Sequence, residues 1–301
     1  MTPLVFHPLY VAADVPATHR FPMGKYRAVA EALVREGVVT SMEDYHQPMM
    51  APENWLTLAH NPAYVAGVLS QTLDEATQRK IGFKVTKFIE HRTRSSVAGT
   101  VLAARLALEH GVAGNLAGGS HHAMPEGGAG FCVFNDVGVA GRLLLDEGSV
   151  SKILIVDLDV HQGDGTAKIF ANEPRAFTFS LHCEKNWPRR KVPSDLDIGL
   201  EEGTGDEAYL RTLADTLPGL LEQEKPDLVF FNAGVDPHRE DRLGLLDLSD
   251  EGLAKREAYV IDTVKSAGVP LCVVMGGGYS RDVTALAKRH ALAFGEVVKA
   301  V

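Results

Sequence analysis

A chain of 301 residues, 45% hydrophobic and 23% charged, is long enough to bury a substantial core as one α/β domain. Its formal charge of −9 supplies no basic footprint for nucleic acid, and no apolar run approaches the roughly 18–20 residues that span a bilayer. The three cysteines, Cys132, Cys183 and Cys272, lack paired short spacing, which argues against a disulfide framework and against a cysteine-type zinc site. Each is expected to be a small buried or half-buried residue, although oxidation of Cys132, beside a motif, could disturb activity. Met1 to His7 shows no basic region followed by an apolar one, so no secretory leader is expected and a cytoplasmic enzyme fits.

Hydrophobic periodicity predicts a helix-rich first quarter, with helices over Tyr26 to Glu36 and Arg94 to His110. A short strand is expected over Asn115 to Gly118 and a helix over Asp136 to Asp146. The strand Lys152 to Leu158 follows, with the apolar run Ile153-Leu154-Ile155-Val156 at its heart. Next come a short helix from Gly165 to Phe170, a strand from Ala176 to Leu181, a helix from Asp206 to Glu224 and a strand from Asp227 to Phe231. Ser249 reads as the N-cap of a helix running to Ala267, with Gly252 a flaw within it. A strand over Leu271 to Met275 and a helix from about Ser280 to Lys299 complete the chain. Strands separated by helices imply parallel pairing with right-handed crossovers, hence a mainly parallel sheet flanked by helices on both faces. No linker, tandem repeat or low-complexity tract interrupts this order, so 1–301 reads as one domain.

The most informative run is Asp157-Leu158-Asp159-Val160-His161-Gln162-Gly163-Asp164-Gly165. Extended chain puts residues two apart on one face, so Asp157, Asp159 and His161 are expected to leave the strand pointing together. Such a cluster is costly without a cation among them. Three further loops follow predicted strands: Gly118-Gly119-Ser120-His121-His122, Asn232-Ala233-Gly234-Val235-Asp236-Pro237 and Gly276-Gly277-Gly278-Tyr279. Loops at the carboxyl ends of parallel strands can converge on one site.

Asp159, His161 and Asp236 would give a metal two carboxylates and one imidazole, with positions left open for water and substrate. Singly, each could be a helix cap or a satisfied core polar group, and Asp236 before Pro237 a turn residue. Adjacent histidines would face opposite ways in a strand, but in a glycine-rich loop His121 and His122 can share a cavity. Asp157 and Asp164 are candidate partners, each orienting one imidazole. A histidine so held could take a proton from a metal-activated water and pass one to a leaving amine. The Tyr279 hydroxyl could donate to a developing oxyanion, although glycines before an aromatic are often only a flexible turn. The basic run Pro188-Arg189-Arg190-Lys191 reads as a solvated loop, with steering of an anionic or peptide substrate as its functional alternative.

These residues resemble the histone deacetylase family of the arginase–deacetylase superfamily. The motifs His121-His122-Ala123, Gly130-Phe131-Cys132-Val133-Phe134-Asn135-Asp136, Asp157 to Gly165 and Gly276-Gly277-Gly278-Tyr279 stand in the family's order, and the similarity runs from about Phe6 to the final helix. The resemblance implies the arginase/deacetylase fold and Zn²⁺ on Asp159, His161 and Asp236, ligands that would also suit Fe²⁺. It implies His122 as general base and acid, His121 as its electrostatic partner, Asp157 and Asp164 paired with His121 and His122, and Tyr279 as oxyanion donor. Gly130 and Phe131 would line a narrow acyl-lysine tunnel, and a structural K⁺ would use Asp157, Asp159, His161, Ser180 and Leu181, partly through carbonyls.

Asn232-Ala233-Gly234, Asp241-Arg242-Leu243-Gly244 and the loop His19-Arg20-Phe21-Pro22-Met23 look most like the class IV branch and small bacterial relatives. Two features depart from the wider family. After Leu181, the segment His182 to Pro188 lacks the Phe-rich tunnel wall of class I enzymes, leaving Trp187 as the candidate second wall. Near Leu243, the polyamine-specific members carry an acidic gatekeeper; an apolar residue there leans away from polyamines, with Glu240 and Asp241 keeping them open.

The expected activity is hydrolysis of an acylated amine, most simply an acyl-lysine in a peptide, protein or small molecule. An acetylpolyamine amidohydrolase is the alternative. A binuclear Mn²⁺ ureohydrolase would need further carboxylates, and only Asp236, with His238 and Glu240 poorly placed, stands at the relevant strand end. A non-catalytic acyl-lysine binding module would have no need of a complete histidine, metal-ligand and tyrosine set.

Overall fold

The computed structural model describes residues 2–301, so Met1 lies outside the described residues. The strands are β1 (Leu4–Val5), β2 (Val112–Asn115), β3 (Ile153–Asp157), β4 (Ala176–Cys183), β5 (Leu196–Leu200), β6 (Leu228–Asn232) and β7 (Leu271–Val274). They form one sheet in the order β1-β2-β7-β6-β3-β4-β5, and every neighbouring pair is parallel. The chain supplies helices α1 (Lys25–Arg35), α2 (Glu53–Leu56), α3 (Pro62–Leu69), α4 (Glu75–Ile81), α5 (Lys87–His110), α6 (Asp136–Asp146), α7 (Asp164–Phe170), α8 (Asp206–Glu224), α9 (Asp250–Ser266) and α10 (Val283–Ala300). They flank the sheet on both faces: α5 packs with α6, while α10 packs with α1 and α9. No helix among the described residues is long and apolar enough to cross a membrane.

The central strands are the ones the sequence announces most clearly. β3, β6 and β7 are buried along their whole length, and a strand covered on both faces reads as an unbroken apolar run. α6 and α8 span the predicted residues, and Ser249 caps α9 by accepting the Gly252 amide at 3.0 Å. The final helix starts at Val283 instead of Ser280, because Asp282 accepts the Thr284 and Ala285 amides as its cap.

Two differences alter how the site is built. The strand expected over Asn115 to Gly118 is Val112–Asn115, since Gly118 and Gly119 take φ of +83° and +78°, which ends extended chain. β3 stops at Asp157, so Asp159 and His161 are held by an irregular loop, not by extended strand. There the Asp157 carboxylate accepts the Asp159 amide at 3.2 Å, and the Asp159 carboxylate accepts the His161 amide at 3.0 Å. Aspartates that cap their own backbone two residues on make turns, and these turns aim the side chains. α5 begins seven residues before its predicted start. Edge strands β1 and β5 and helices α2 to α4 had no expectation; β1 is only two residues long and β5 is half-buried throughout or exposed.

Leu154 lies fully buried at the middle of β3. Leu154→Ala is expected to cost about 2–5 kcal/mol of stability, from lost transfer energy plus the cavity left behind. Urea denaturation followed by far-UV circular dichroism checks this.

Candidate active site

The carboxyl ends of β2, β3, β6 and β7 carry the four loops into one place. Asp159, His161 and Asp236 each offer a ligand atom, all within 4.8 Å of one another, and all three residues are buried. The His161 Nδ1 lies 3.1 Å from a carboxylate oxygen of each aspartate. The Val160 amide donates to Asp236 at 2.9 Å and the Gly277 amide to Asp159 at 2.7 Å, so both carboxylates are fixed by backbone. A Cβ at Gly277 would fall 2.2 Å from Asp236 Oδ2 and 2.6 Å from Asp159 Oδ2. Only glycine admits the loop this close.

The donor set suits a divalent cation. Two carboxylates and one imidazole, without cysteine, form a three-ligand set of the catalytic kind. Without a cation, protons must do its work. Burial, reinforced by Asp159, pushes the Asp236 carboxyl up to about 7. Burial works to lower the His161 imidazole, yet hydrogen bonds to Asp159 and Asp236 overcome it and hold the group at about 10. No second cluster of three such residues occurs among the described residues. His238 and Glu240, the nearest reserve for a second metal, face Asp250 and Arg289 respectively.

The histidine loop is anchored from beneath by Asp136, whose carboxylate accepts the Gly119 and Ser120 amides and the Thr100 hydroxyl. His121 Nδ1 sits 2.7 Å from Asp157, and His122 Nδ1 2.7 Å from Asp164, the expected pairing. Asn232 donates to Asp157 at 2.9 Å from the other side. The two imidazoles differ in charge, one cationic and one neutral. Burial is overcome at His121 by the fields of Asp157 and Asp159, which raise it to about 9. Burial and then the charged His121 drive His122 down to about 4, so it is neutral at neutral pH.

A cavity of about 410 Å³ opens onto His122, His161, Tyr279, Phe131, Trp187 and Leu243. The Trp187 ring meets His122 edge to face at 4.5 Å and lines the same cavity as Phe131. Phe131 is held at φ +68° and packed by Phe21 and Phe83, with centroids at 5.4 and 5.6 Å. The loop from His19 to Met23 thus buttresses the mouth from behind. A Cβ at Gly130 would fall 2.8 Å from the His122 ring and 3.0 Å from Trp187, so glycine keeps the passage between them open. Burial, with Asp159 and Asp236 nearby, raises the Tyr279 phenol well above its ordinary range, leaving it an O–H donor.

Ser180 pairs in register with Asp157 across β3 and β4, and Leu181 follows it, so the residues expected around potassium share one end of the sheet. Burial pushes the Cys132 thiol up to about 12, leaving it no thiolate at neutral pH. The acidic neighbours of Leu243 do not reach the mouth. Glu240 pairs with Arg289, and Asp241 accepts the amides of Leu243, Gly244 and Tyr279.

Two supporting residues escape sequence reasoning. Lys25, fully buried, donates to the carbonyls of Gly276 at 2.9 Å and Gly278 at 3.4 Å, which fixes the loop bearing Tyr279. Nothing around it in sequence marks it. Arg256, also fully buried, donates to the carbonyls of Leu158 and Gly234, beside two of the candidate ligands. It did leave a signal, standing at the core-facing spacing of Leu253, Val260 and Val264 in α9.

A family profile described as Histone deacetylase domain matches residues 19–294. An uncharacterized protein of Picosynechococcus sp. is 49% identical over 96% of this chain and 96% of its own length. Histone deacetylase 2 of Arabidopsis thaliana is 30% identical over 87% of this chain and 70% of that protein. A probable deacetylase of Archaeoglobus fulgidus is 27% identical over 93% and 82%. The crystal structure of the HDA15 HD domain superposes with a TM-score of 0.79 at 23% identity, covering 97% of this chain and 87% of that one, and so shares the fold.

Gly277→Ala is expected to displace both candidate ligand carboxylates while leaving the sheet intact. Metal content by mass spectrometry should fall at least tenfold (roughly the cost of disturbing a ligand's support), with an unchanged far-UV spectrum.

Proposed function

The chain belongs to the histone deacetylase family, and from that membership we propose that 1–301 acts as one catalytic domain, a zinc-dependent amidohydrolase removing the acyl group from an acyl-lysine. The observation that carries this reading is His122, held by Asp164 at 2.7 Å, in the same cavity as Tyr279 and His161, the imidazole of the Asp159, His161 and Asp236 cluster. Amide hydrolysis needs a base for water, an acid for the leaving amine and a donor for the oxyanion, and each has a candidate here.

When bound by Asp159, His161 and Asp236, the cation supplies Lewis-acid polarisation of the acyl carbonyl and lowers the pKa of water. The acyl-lysine side chain lies between Phe131 and Trp187, whose rings shed water from its methylenes. With Nδ1 engaged by Asp164, His122 presents Nε2 to the attacking water and accepts its proton. Asp164 then stabilises the imidazolium, which returns that proton to the departing lysine amine. The Tyr279 hydroxyl donates to the oxygen that gains charge. His121, charged by Asp157, stays a fixed cation beside the reaction. A structural K⁺ held by Asp157, Asp159, His161, Ser180 and Leu181 belongs to the same proposal, supported by the register of Asp157 with Ser180.

His122→Ala is expected to lower kcat by about 10²–10⁴ while the metal stays bound, checked by turnover of an acetyl-lysine peptide alongside metal analysis. Unchanged turnover would overturn the assignment. The pH profile follows from the same residue. A base lowered to about 4 is unprotonated above that value and is lost only as the pH falls through it. The kcat/KM of the metal-loaded enzyme should therefore hold level from about pH 8 to pH 6 and fall toward about pH 4. An acid limb near 6.5, the ordinary imidazole value, would contradict the buried, His121-flanked base.

A further inference from the structure

Beside the mouth lies a larger cleft, of about 740 Å³, lined by Arg20, Arg242 and Arg281. Arg20 also lines the cavity that holds His122 and Tyr279, so the two hollows share a wall. Arg242 directly precedes Leu243 and Arg281 follows Tyr279 by two residues, which ties the cleft to the mouth along the chain as well. No aspartate or glutamate lines either hollow, and Lys185, which lines the smaller one, is paired with Glu202.

The three arginines are exposed, and none forms an ion pair among the described residues. Their acidic neighbours in sequence are committed elsewhere. Asp241, next to Arg242, accepts the amides of Leu243, Gly244 and Tyr279, and Asp282, next to Arg281, caps α10. On the loop that carries Trp187, Arg189 and Arg190 are exposed, whereas Lys191 donates to the carbonyls of Glu184, Asn186 and Pro188. A protein of net charge −9 thus gathers unpaired guanidinium groups at the rim of its candidate active site. Guanidinium is the side chain best shaped to bind carboxylates in a fork.

We propose that this rim selects acyl-lysines lying in acidic peptide segments, the cleft of Arg20, Arg242 and Arg281 binding carboxylates that flank the lysine. The proposal rests on the deacylase reading of the central cavity. An extended peptide advances about 3.3 Å per residue, so side chains one to three positions from the lysine lie within about 10 Å of it, inside or near the screening length of physiological salt. The same rim repels a polyamine or a lysine-rich tail.

The test uses the metal-loaded full chain and three peptides with acetyl-lysine flanked by Glu, Gln or Lys. The expected order of kcat/KM is Glu over Gln over Lys, with roughly tenfold between the first two at low salt, the scale of a few exposed charge pairs. That ratio should shrink toward one between about 0.05 and 0.5 M salt, and in the double variant Arg242→Gln, Arg281→Gln. Because each ratio is taken within one protein, a partial loss of folding cancels. Binding of the same peptides, fluorescently labelled, to the His122→Ala variant reads the preference by anisotropy without turnover. Hydrolysis with no Glu preference, a Lys preference, or a ratio unmoved in the double variant overturns the proposal and leaves the deacylase reading standing. Preferential binding of the Glu peptide with no hydrolysis by the wild type overturns the deacylase reading and leaves the acidic preference standing.

Discussion

The site depends on burying five carboxylates, Asp136, Asp157, Asp159, Asp164 and Asp236, at one end of a parallel sheet. The effective penalty for a buried ion is several kcal/mol, and a hydrogen bond to a charged group returns about 1.5–3 kcal/mol. Each aspartate therefore needs more than one partner, and the local architecture follows from finding them. Asp136 has two amides and a hydroxyl, Asp157 has His121 and Asn232, and Asp164 has His122 and the Gly165 amide. Asp159 and Asp236 have one amide each from a neighbouring loop and share His161. Asp159 also accepts the His161 amide, yet these are the two carboxylates that lie against each other around a single imidazole, so a cation relieves their mutual repulsion there.

The same constraint explains the loops. A strand satisfies its own amides through its neighbours, whereas a loop at a strand end has spare amides to offer. Ending β2 at Asn115 and β3 at Asp157 frees the amides of Gly119, Ser120, Asp159 and His161, and all four are donated to aspartates. At Gly277 a Cβ would collide with both the Asp236 and Asp159 carboxylates, which is why glycine stands where those loops meet. Lys25 and Arg256 act one layer further out. Both hold carbonyls of the loops whose amides and side chains face the site, and Arg256 is itself paired with the buried Glu257.

What could be read from the sequence divides along physical lines. β3, β6 and β7 and helices α6, α8 and α9 were legible because burial on both faces, or on one helical face, writes a period into the chain. The histidine–aspartate pairings were legible from motif and resemblance together. The early end of β3 was not, because an aspartate accepting the amide two residues on gives no hydrophobic signal. β1 was too short for a period to show, and β5, at the sheet edge, buries none of its residues fully. Lys25 carried no mark, since a lysine at a helix start is normally solvated, and only the three-dimensional approach of the Gly276 to Gly278 loop encloses it. Trp187 could be named as a candidate wall but not placed, because its distance from His122 depends on how the segment after β4 turns.

Two adjacent, identical residues end up in different protonation states, one charged and one neutral, and that asymmetry is the most consequential product of the aspartate cluster. His121 feels both Asp157 and Asp159, and their combined field outweighs burial and keeps its proton. His122 touches one carboxylate, is buried as deeply and lies 4.0 Å, ring to ring, from a charged neighbour, so it loses its proton. A proposed base has to be empty when water arrives, yet its protonated form must survive long enough to deliver the proton. The charge on His121 secures the first condition, and Asp164, at 2.7 Å, secures the second. If both histidines had the same partners they would share one protonation state, and the pair could be a cation or a base but not one of each.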